Sequence, residues 1–285
     1  LSGGPEGLPA APSEPLVRVR LTVAYDGANL SGFAAQPNRR TVAGALGQAI
    51  EKVVGHAVKL TCAGRTDAGV HAWGQVVHAD LAPREPTGEI TAPGAPGCSA
   101  RPGVDPDALA LACNRMLAPA IVVREASVAP PGFDARRSAL SRRYGYTVLD
   151  STVPHPFLAP TTWQVPGPLD VRAMQAATDS IIGEHDFRAF CRRSPGKAKG
   201  DPITRRVLDA GWQGRGNGVL SFEIEAASFC HQMVRSLVGT IVEVGRGRRR
   251  ASEMVAVLRS GDRSLAASPA PPHGLCLLEV TYAGS

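Results

Sequence analysis

Two kinds of periodicity mark the first half of the chain. Every second residue from Val17 to Tyr25 is apolar or aromatic, which predicts a half-buried strand ending at a turn. Residues 42–54 carry apolar side chains at the three- and four-residue spacing of an amphipathic helix, with Thr41 placed to cap it. Further strands are predicted near residues 58–62, 75–81 and 121–128, and a further helix begins at Asp105-Pro106.

The second half repeats this layout. Arg142, Tyr144, Tyr146 and Val148 share one face of a predicted strand. Helices are predicted over residues 170–182, 230–244 and 252–258, and strands near 207–212, 219–226 and 275–282. Strands and helices mix without strict alternation, which predicts an α+β fold of mostly antiparallel sheet covered by helices.

Composition changes sharply in two segments. Residues 1–15 and 86–103 are rich in Gly and Pro, which predicts a flexible N-terminal extension and a flexible insertion. We therefore expect one subdomain over residues 16–130 and a second over 131–285. Residues 1–15 lack the basic start and apolar run of a secretory signal. The sequence has no run of about eighteen apolar residues, so it predicts no membrane-spanning helix. The chain begins with Leu, so Leu1 need not be the translated start.

The charge balance is basic. Lys and Arg together number 31 against 25 Asp and Glu, a formal net charge of +6. Only Lys52, Lys59, Lys197 and Lys199 are lysines; the rest are arginines, whose planar guanidinium grips phosphate and stacks on bases. A GC-rich genome would give the same preference for Arg. Composition therefore hints at nucleic acid without separating the two explanations.

The six cysteines are scattered, with no C-x-x-C pair. This spacing favours neither a zinc knuckle nor a redox motif, and we expect reduced thiols in a cytoplasmic protein.

The densest group of reactive residues lies between two predicted strands, in residues 63–71. Gly64 and Gly69 allow tight turns and close approach of a ligand. Arg65, two residues before Asp67, would keep that carboxylate ionised, as a nucleophile or base requires, or would engage a substrate phosphate. A structural turn with an Asp cap and a salt bridge would also produce this string, so the residues alone leave both interpretations open.

This run resembles the motif of the tRNA pseudouridine synthase A (TruA) family, G-R-T-D-A-G-V-H. It reads Gly64-Arg65-Thr66-Asp67-Ala68-Gly69-Val70-His71. Other blocks that resemble the family stand before and after this run, in the order found in the family. They are Tyr25-Asp26-Gly27, Gly32-Phe33, Gln36, Arg142-Arg143-Tyr144, residues 187–190, residues 229–239 and Gly274-Leu275. The resemblance covers residues 17–282. It implies two α+β subdomains joined around a central basic cleft, with Asp67 near its floor.

The resemblance also implies an activity. Asp67 would be the catalytic aspartate that breaks the N-glycosidic bond of a target uridine, after which the base rejoins the ribose through carbon. The carboxylate would attack the sugar, attack the base or remove a sugar proton. Tyr144 would stack on the uracil, and Arg65 would pair with Asp67 and hold the flipped nucleotide. The family modifies the anticodon stem-loop at tRNA positions 38, 39 and 40, as a homodimer and without a cofactor or metal.

Chemistry on a stacked base requires extrusion of that base, at a cost of a few kcal/mol. An aromatic ring such as Tyr144 recovers about 1–3 kcal/mol by stacking, although a strand tyrosine in a protein core would show the same pattern. Basic residues in predicted loops would contact phosphates without reading sequence. The candidate RNA contacts are Arg142, Arg192, Arg193, Arg205 and Arg206.

Two rival interpretations stand beside the isomerase. A passive RNA-binding protein would keep the basic surface, but it would not need Asp67 facing a polyanion. A metal-dependent hydrolase would use His56, His71, His78 and Asp67, but these lack ligand spacing such as H-E-x-x-H. His231 and Arg235 share a polar face of the predicted 230–244 helix and stay outside the expected catalytic set.

Overall fold

The structure is a computed structural model that describes residues 16–82, 104–192 and 200–284. The predicted extension at residues 1–15 and the predicted insertion at residues 86–103 lie outside the described residues.

In residues 16–82 and 104–130, the structure contains four strands and two helices. They are β1 (Val17–Tyr25), α1 (Val42–Val54), β2 (Thr61–Cys62), β3 (His71–Leu81), α2 (Pro106–Leu117) and β4 (Ile121–Val128). The predictions for β1, α1 and β4 are confirmed. Strand β3 starts four residues before the predicted position, because Gly74 interrupts the side-chain pattern; a Cβ there would lie 2.3 Å from the carbonyl oxygen of Leu278.

The second half contributes the remaining elements. They are β5 (Ala139–Asp150), β6 (Trp163–Val165), α3 (Val171–Asp179), β7 (Gly183–Asp186), β8 (Thr204–Gly216), β9 (Val219–Ala226), α4 (Met233–Gly245), α5 (Glu253–Ser260) and β10 (Leu275–Tyr282). Strands β6 and β7 are too short to show a periodicity, so the sequence did not predict them. Helix α4 begins at Met233 rather than at 230, because Gln232 has a φ of 63°, outside the right-handed helical region.

The strands form one sheet in the order β4-β1-β3-β10-β5-β9-β8-β7, with β2 beside β3 and β6 beside β5. Only β10–β3 and β5–β6 are parallel pairs among the described strands. The α+β class with mostly antiparallel sheet is therefore confirmed. Strand β10 joins the halves, since Leu277 pairs with Ala72 on β3 and with Tyr144 on β5. The predicted boundary at residue 130 falls between β4 and β5.

Helices α1 and α2 begin where the sequence supplies caps. Thr41 accepts a hydrogen bond from the Gly44 amide, and Asp105 accepts from the amides of Asp107 and Ala108, which satisfies free amides of the first turn. Helix α1 packs on α2, which packs on β4, while α3 packs on α4 and β8. In the described ranges no helix is long and apolar enough to cross a membrane.

Candidate active site

Asp67 lies in the loop between β2 and β3, which we call the Asp67 loop (residues 63–70). A second loop approaches it closely at Gly32, where φ is 89° and a Cβ would lie 2.9 Å from the Thr66 carbonyl oxygen. The next amide, of Phe33, donates to that oxygen at 3.1 Å. Glycine at position 32 therefore permits both the turn and the contact.

Buried polar side chains hold the Asp67 loop from below. The Tyr25 hydroxyl lies 2.7 Å from the Thr66 hydroxyl, and the Gln75 amide nitrogen donates to the Gly64 carbonyl at 2.6 Å. Arg142 donates to the Ala63 carbonyl at 2.9 Å. The backbone on both sides of Arg65 is thus held by residues of the sheet.

The carboxylate of Asp67 contacts two residues of the C-terminal half. Its Oδ1 lies 3.1 Å from His231 Nε2, and its Oδ2 lies 3.4 Å from Arg235 Nη1. Arg235 is oriented by donation from Nε to the Ala270 carbonyl at 2.7 Å. This corrects the expected pairing with Arg65: in the described part of the chain Arg65 forms no ion pair, and its side chain is exposed along the cleft.

His231 and Arg235 reach Asp67 from the start of α4. Arg235 lies in the first turn of the helix, whereas His231 precedes it. The His231 carbonyl accepts from the Arg192 amide at 2.9 Å. Beside this contact, Cys191 and Cys230 form a disulfide with a Cα–Cα distance of 5.7 Å. The expectation of six reduced thiols is therefore wrong for this pair, while Cys62, Cys113 and Cys276 are free thiols.

Tyr144 lies on β5 at the floor of the cleft, beside the Asp67 loop. Its ring packs edge-on against Phe229, with centroids 5.1 Å apart, and a Cβ at Gly64 would lie 3.9 Å from its hydroxyl. Burial, with smaller contributions from Tyr25 and Asp67, raises the pKa of Tyr144 well above its usual range. The hydroxyl therefore stays protonated at neutral pH.

Arg142 differs from its predicted role as an RNA contact. The side chain is buried, and its guanidinium donates to the carbonyls of Ala139, Ala227, Ala63 and Arg136. These four bonds use the hydrogens of both Nη atoms, so we correct the expectation: Arg142 braces the Asp67 loop against β5. Desolvation lowers its pKa from the usual value, but an arginine stays charged at any physiological pH.

The Asp67 loop, Tyr144 and the start of α4 line one cleft of about 1570 Å³. Its lining includes six basic residues besides Arg142 and Arg235, namely Arg39, Lys59, Arg65, Arg136, Arg192 and Arg205. Of the other candidate RNA contacts, Arg206 is exposed on β8 and is not part of this lining, and Arg193 lies outside the described residues. A basic cleft of this size suits a polyanion.

The histidines of the metal interpretation serve separate backbone contacts. His56 accepts from the Ala82 amide, His71 from the Gly27 amide, and His78 from the Ala135 amide. Across residues 16–82, 104–192 and 200–284 no three His, Cys, Asp or Glu side chains are grouped to hold a metal ion. The geometry therefore gives no support to the hydrolase.

Sequence reasoning placed Asp67 and Tyr144 in the cleft but set aside His231 and Arg235. A signal for both was present, because they belong to the block at residues 229–239 that resembles the family. Helical periodicity places both residues on a polar face of the helix. It does not show whether that face contacts solvent or Asp67.

Comparisons with known proteins identify the family of the chain. A family model described as tRNA pseudouridine synthase matches residues 177–283. The tRNA pseudouridine synthase A of Frankia casuarinae is 44% identical over 94% of this chain and 90% of that protein. Proteins of the same name from Leifsonia xyli subsp. xyli and Myxococcus xanthus are 42% and 37% identical, each over 93% of this chain, and over 91% and 92% of their own lengths.

Among solved structures, the chain aligns with one from a Cbf5-Nop10-Gar1 complex at 11% identity and a TM-score of 0.32, over 91% of this chain and 58% of that one. That likeness is too weak to support an inference. The relatives, in contrast, span nearly the whole chain at more than a third identity, and from them it follows that the chain belongs to the tRNA pseudouridine synthase A family.

Proposed function

We propose that this protein converts uridine to pseudouridine in the anticodon stem-loop of tRNA, at positions 38, 39 and 40, with Asp67 as the catalyst and without a cofactor. The resemblance to the family also supports a cytoplasmic homodimer whose RNA spans both subunits.

The observation that carries the proposal is the setting of Asp67. Its carboxylate is only partly exposed, contacts Arg235 and His231, and lines a basic cleft of about 1570 Å³. Asp67 therefore presents to the cleft the carboxylate that a nucleophile or base requires.

The reaction breaks one bond and forms another within a single nucleotide. The N1–C1′ glycosidic bond breaks, the uracil turns, and C5 bonds to C1′. The proton on C5 is then lost and N1 gains one, so the reaction is an isomerisation that consumes no other reagent. Asp67 supplies the carboxylate that acts on the flipped-out uridine.

Other cleft residues would bind the substrate. Tyr144, at the floor beside Asp67, would contact the uracil ring, and stacking of this kind is worth about 1–3 kcal/mol. Arg65 is exposed in the cleft without an ion pair in the described ranges, so it is available for a phosphate of the flipped nucleotide. Arg192 and Arg205 line the same cleft and would neutralise neighbouring phosphates.

A tritium-release assay tests the proposal. A tRNA transcript labelled at C5 of uridine is incubated with wild-type protein or with Asp67→Asn, in EDTA, and tritium released to water is measured. We expect release by the wild type and a loss on the order of 10³-fold or more in the variant, because the amide cannot act as a nucleophile or base.

Binding of the same transcript is measured in parallel. Equal binding by both proteins without release from either would establish a passive RNA-binding protein. Release that EDTA abolishes would favour a metal-dependent reaction. Transcripts with single uridines at position 38, 39 or 40 then show which positions are modified.

A further inference from the structure

We propose that Tyr25 is a positioning residue for the catalytic aspartate, acting through Thr66 and Gln75. The three side chains form a buried hydrogen-bonded network that holds the Asp67 loop in a fixed position on the sheet. This inference rests on the proposed role of Asp67 and adds Tyr25 and Gln75, which lie outside the lining of the cleft.

The network connects the sheet to two residues of the Asp67 loop that precede Asp67, namely Gly64 and Thr66. The Tyr25 hydroxyl bonds the hydroxyl of Thr66, the residue directly before Asp67, at 2.7 Å. Gln75 Nε2 bonds the Gly64 carbonyl at 2.6 Å and reaches the Tyr25 hydroxyl at 3.4 Å. One chain of bonds therefore runs from Gly64 through Gln75 and Tyr25 to Thr66.

Burial makes this network stiff. Tyr25, Thr66 and Gln75 are 4%, 7% and 0% exposed, so water does not compete for their bonds. Hydrogen bonds are stronger in such surroundings. Burial also raises the pKa of Tyr25, which keeps its hydroxyl protonated and available as a donor.

The sheet does not need these bonds to keep its register. Strands β1 and β3 pair along their backbones from Val17 onwards, and the register shifts between Val23 and Tyr25. Such an irregularity re-aims a side chain, and here the ring of Tyr25 ends under Thr66. The register shift between β1 and β3 thus places the Tyr25 hydroxyl against the Asp67 loop.

Loss of the network should impair the chemical step and spare RNA binding. Arg65 lies in the Asp67 loop, but the other basic residues of the cleft lining, Arg39, Lys59, Arg136, Arg192 and Arg205, belong to other segments, so tRNA affinity should depend little on Tyr25. The carboxylate, in contrast, must sit within a fraction of an ångström of its reacting position, and a displacement of about 1 Å costs roughly 10²-fold in rate.

The test compares Tyr25→Phe, Thr66→Val and Thr66→Ser with the wild type, by kcat and KM for tritium release per folded molecule. We expect kcat to fall about 10- to 100-fold in Tyr25→Phe and Thr66→Val, with KM for tRNA within about two-fold, since the cleft walls are intact. Thr66→Ser keeps the hydroxyl and should retain most of the activity. The double variant Tyr25→Phe/Thr66→Val should lose little more than the worse single one, because both remove the same bond.

Tyr282→Phe is the matched control. Its hydroxyl is also buried and donates to the Ala135 carbonyl at 2.7 Å, away from the Asp67 loop, so Tm should fall while kcat stays unchanged. Unchanged kcat in Tyr25→Phe and Thr66→Val, or an equal loss in Tyr282→Phe, would overturn the inference. If Tyr25→Phe does not fold, the Thr66→Val and Thr66→Ser pair decides alone. An active Asp67→Asn would instead defeat the proposed function itself.

Discussion

The Asp67 loop and the segment at residues 229–235 meet at the same carboxylate but are held differently. The Asp67 loop is fixed from beneath by buried side chains, through bonds from Tyr25 and Gln75 of its own half and from Arg142 on β5. The 229–235 segment reaches across from the other half and contacts Asp67 through His231 and Arg235. The residues beneath the loop therefore set where the carboxylate lies, and the 229–235 segment supplies its ionic partners.

This division has a consequence for variants. A change on the 229–235 side should alter the electrostatics of the carboxylate without moving the loop, whereas a change beneath the loop should move the carboxylate without altering its ionic partners. Four substitutions or treatments follow in decreasing order of expected effect on tRNA modification or binding, and the first of them tests that separation.

Arg235→Ala should have the largest effect. It removes the cation nearest Asp67 Oδ2 and leaves the Ala270 carbonyl without its donor, so we expect kcat to fall about 10²- to 10³-fold. Arg235→Lys keeps the charge without the planar fork and should recover part of the loss. Wild-type turnover in Arg235→Ala would show that the second half does not control the carboxylate.

Tyr144→Ala comes next, because it removes the ring at the cleft floor. We expect the rate of tritium release to fall about 10- to 100-fold, which corresponds to the free energy of stacking one base on one aromatic ring. Most of the tRNA affinity should be retained. Tyr144→Phe keeps the ring and should retain more activity. A normal single-turnover rate for Tyr144→Ala would remove this residue from the site.

Arg205→Ala should affect binding rather than chemistry. If Arg205 neutralises one phosphate, its loss should lower the slope of log affinity against log salt by about one, with an unchanged rate at saturating protein. Arg215→Ala is the matched control, since Arg215 lies on the same strand and pairs with Glu223. Equal salt slopes for the wild type and Arg205→Ala would place the RNA elsewhere.

Reduction of the Cys191–Cys230 disulfide should have the smallest effect on turnover, because neither sulfur contacts Asp67. The bond closes a segment 39 residues long in sequence, so its loss should lower the free energy of unfolding by about 2–4 kcal/mol. Alkylation under denaturing conditions, read by mass, should detect two more thiols after reduction. An equal thiol count before and after would restore the expectation of reduced cysteines.

Much of the fold followed from the sequence. Apolar periodicity located β1 and α1, and Thr41 and Asp105 marked the first residues of two helices. Short strands such as β7 were missed, because four residues are too few to show a period. The position of Asp67 in a basic cleft followed from its motif.

The partner of Asp67 did not follow from the sequence. Arg65 is two residues away, but nearby side chains in a turn point in different directions, whereas Arg235 lies 168 residues further along the chain and arrives through the packing of α4. Arg142 was correctly placed on the strand face of Tyr144. Its four carbonyl partners belong to separate segments, and no local pattern could have indicated them.

The position of β10 bears on how this molecule is made. The strand is among the last parts of the sequence, yet it occupies the middle of the sheet, between β3 and β5. During synthesis the two halves can each collapse early, but they cannot close around the future RNA groove until residues 275–282 leave the ribosome. A chain shortened before Leu275 would therefore lose the seam between its halves, and with it the meeting of Asp67 and Arg235.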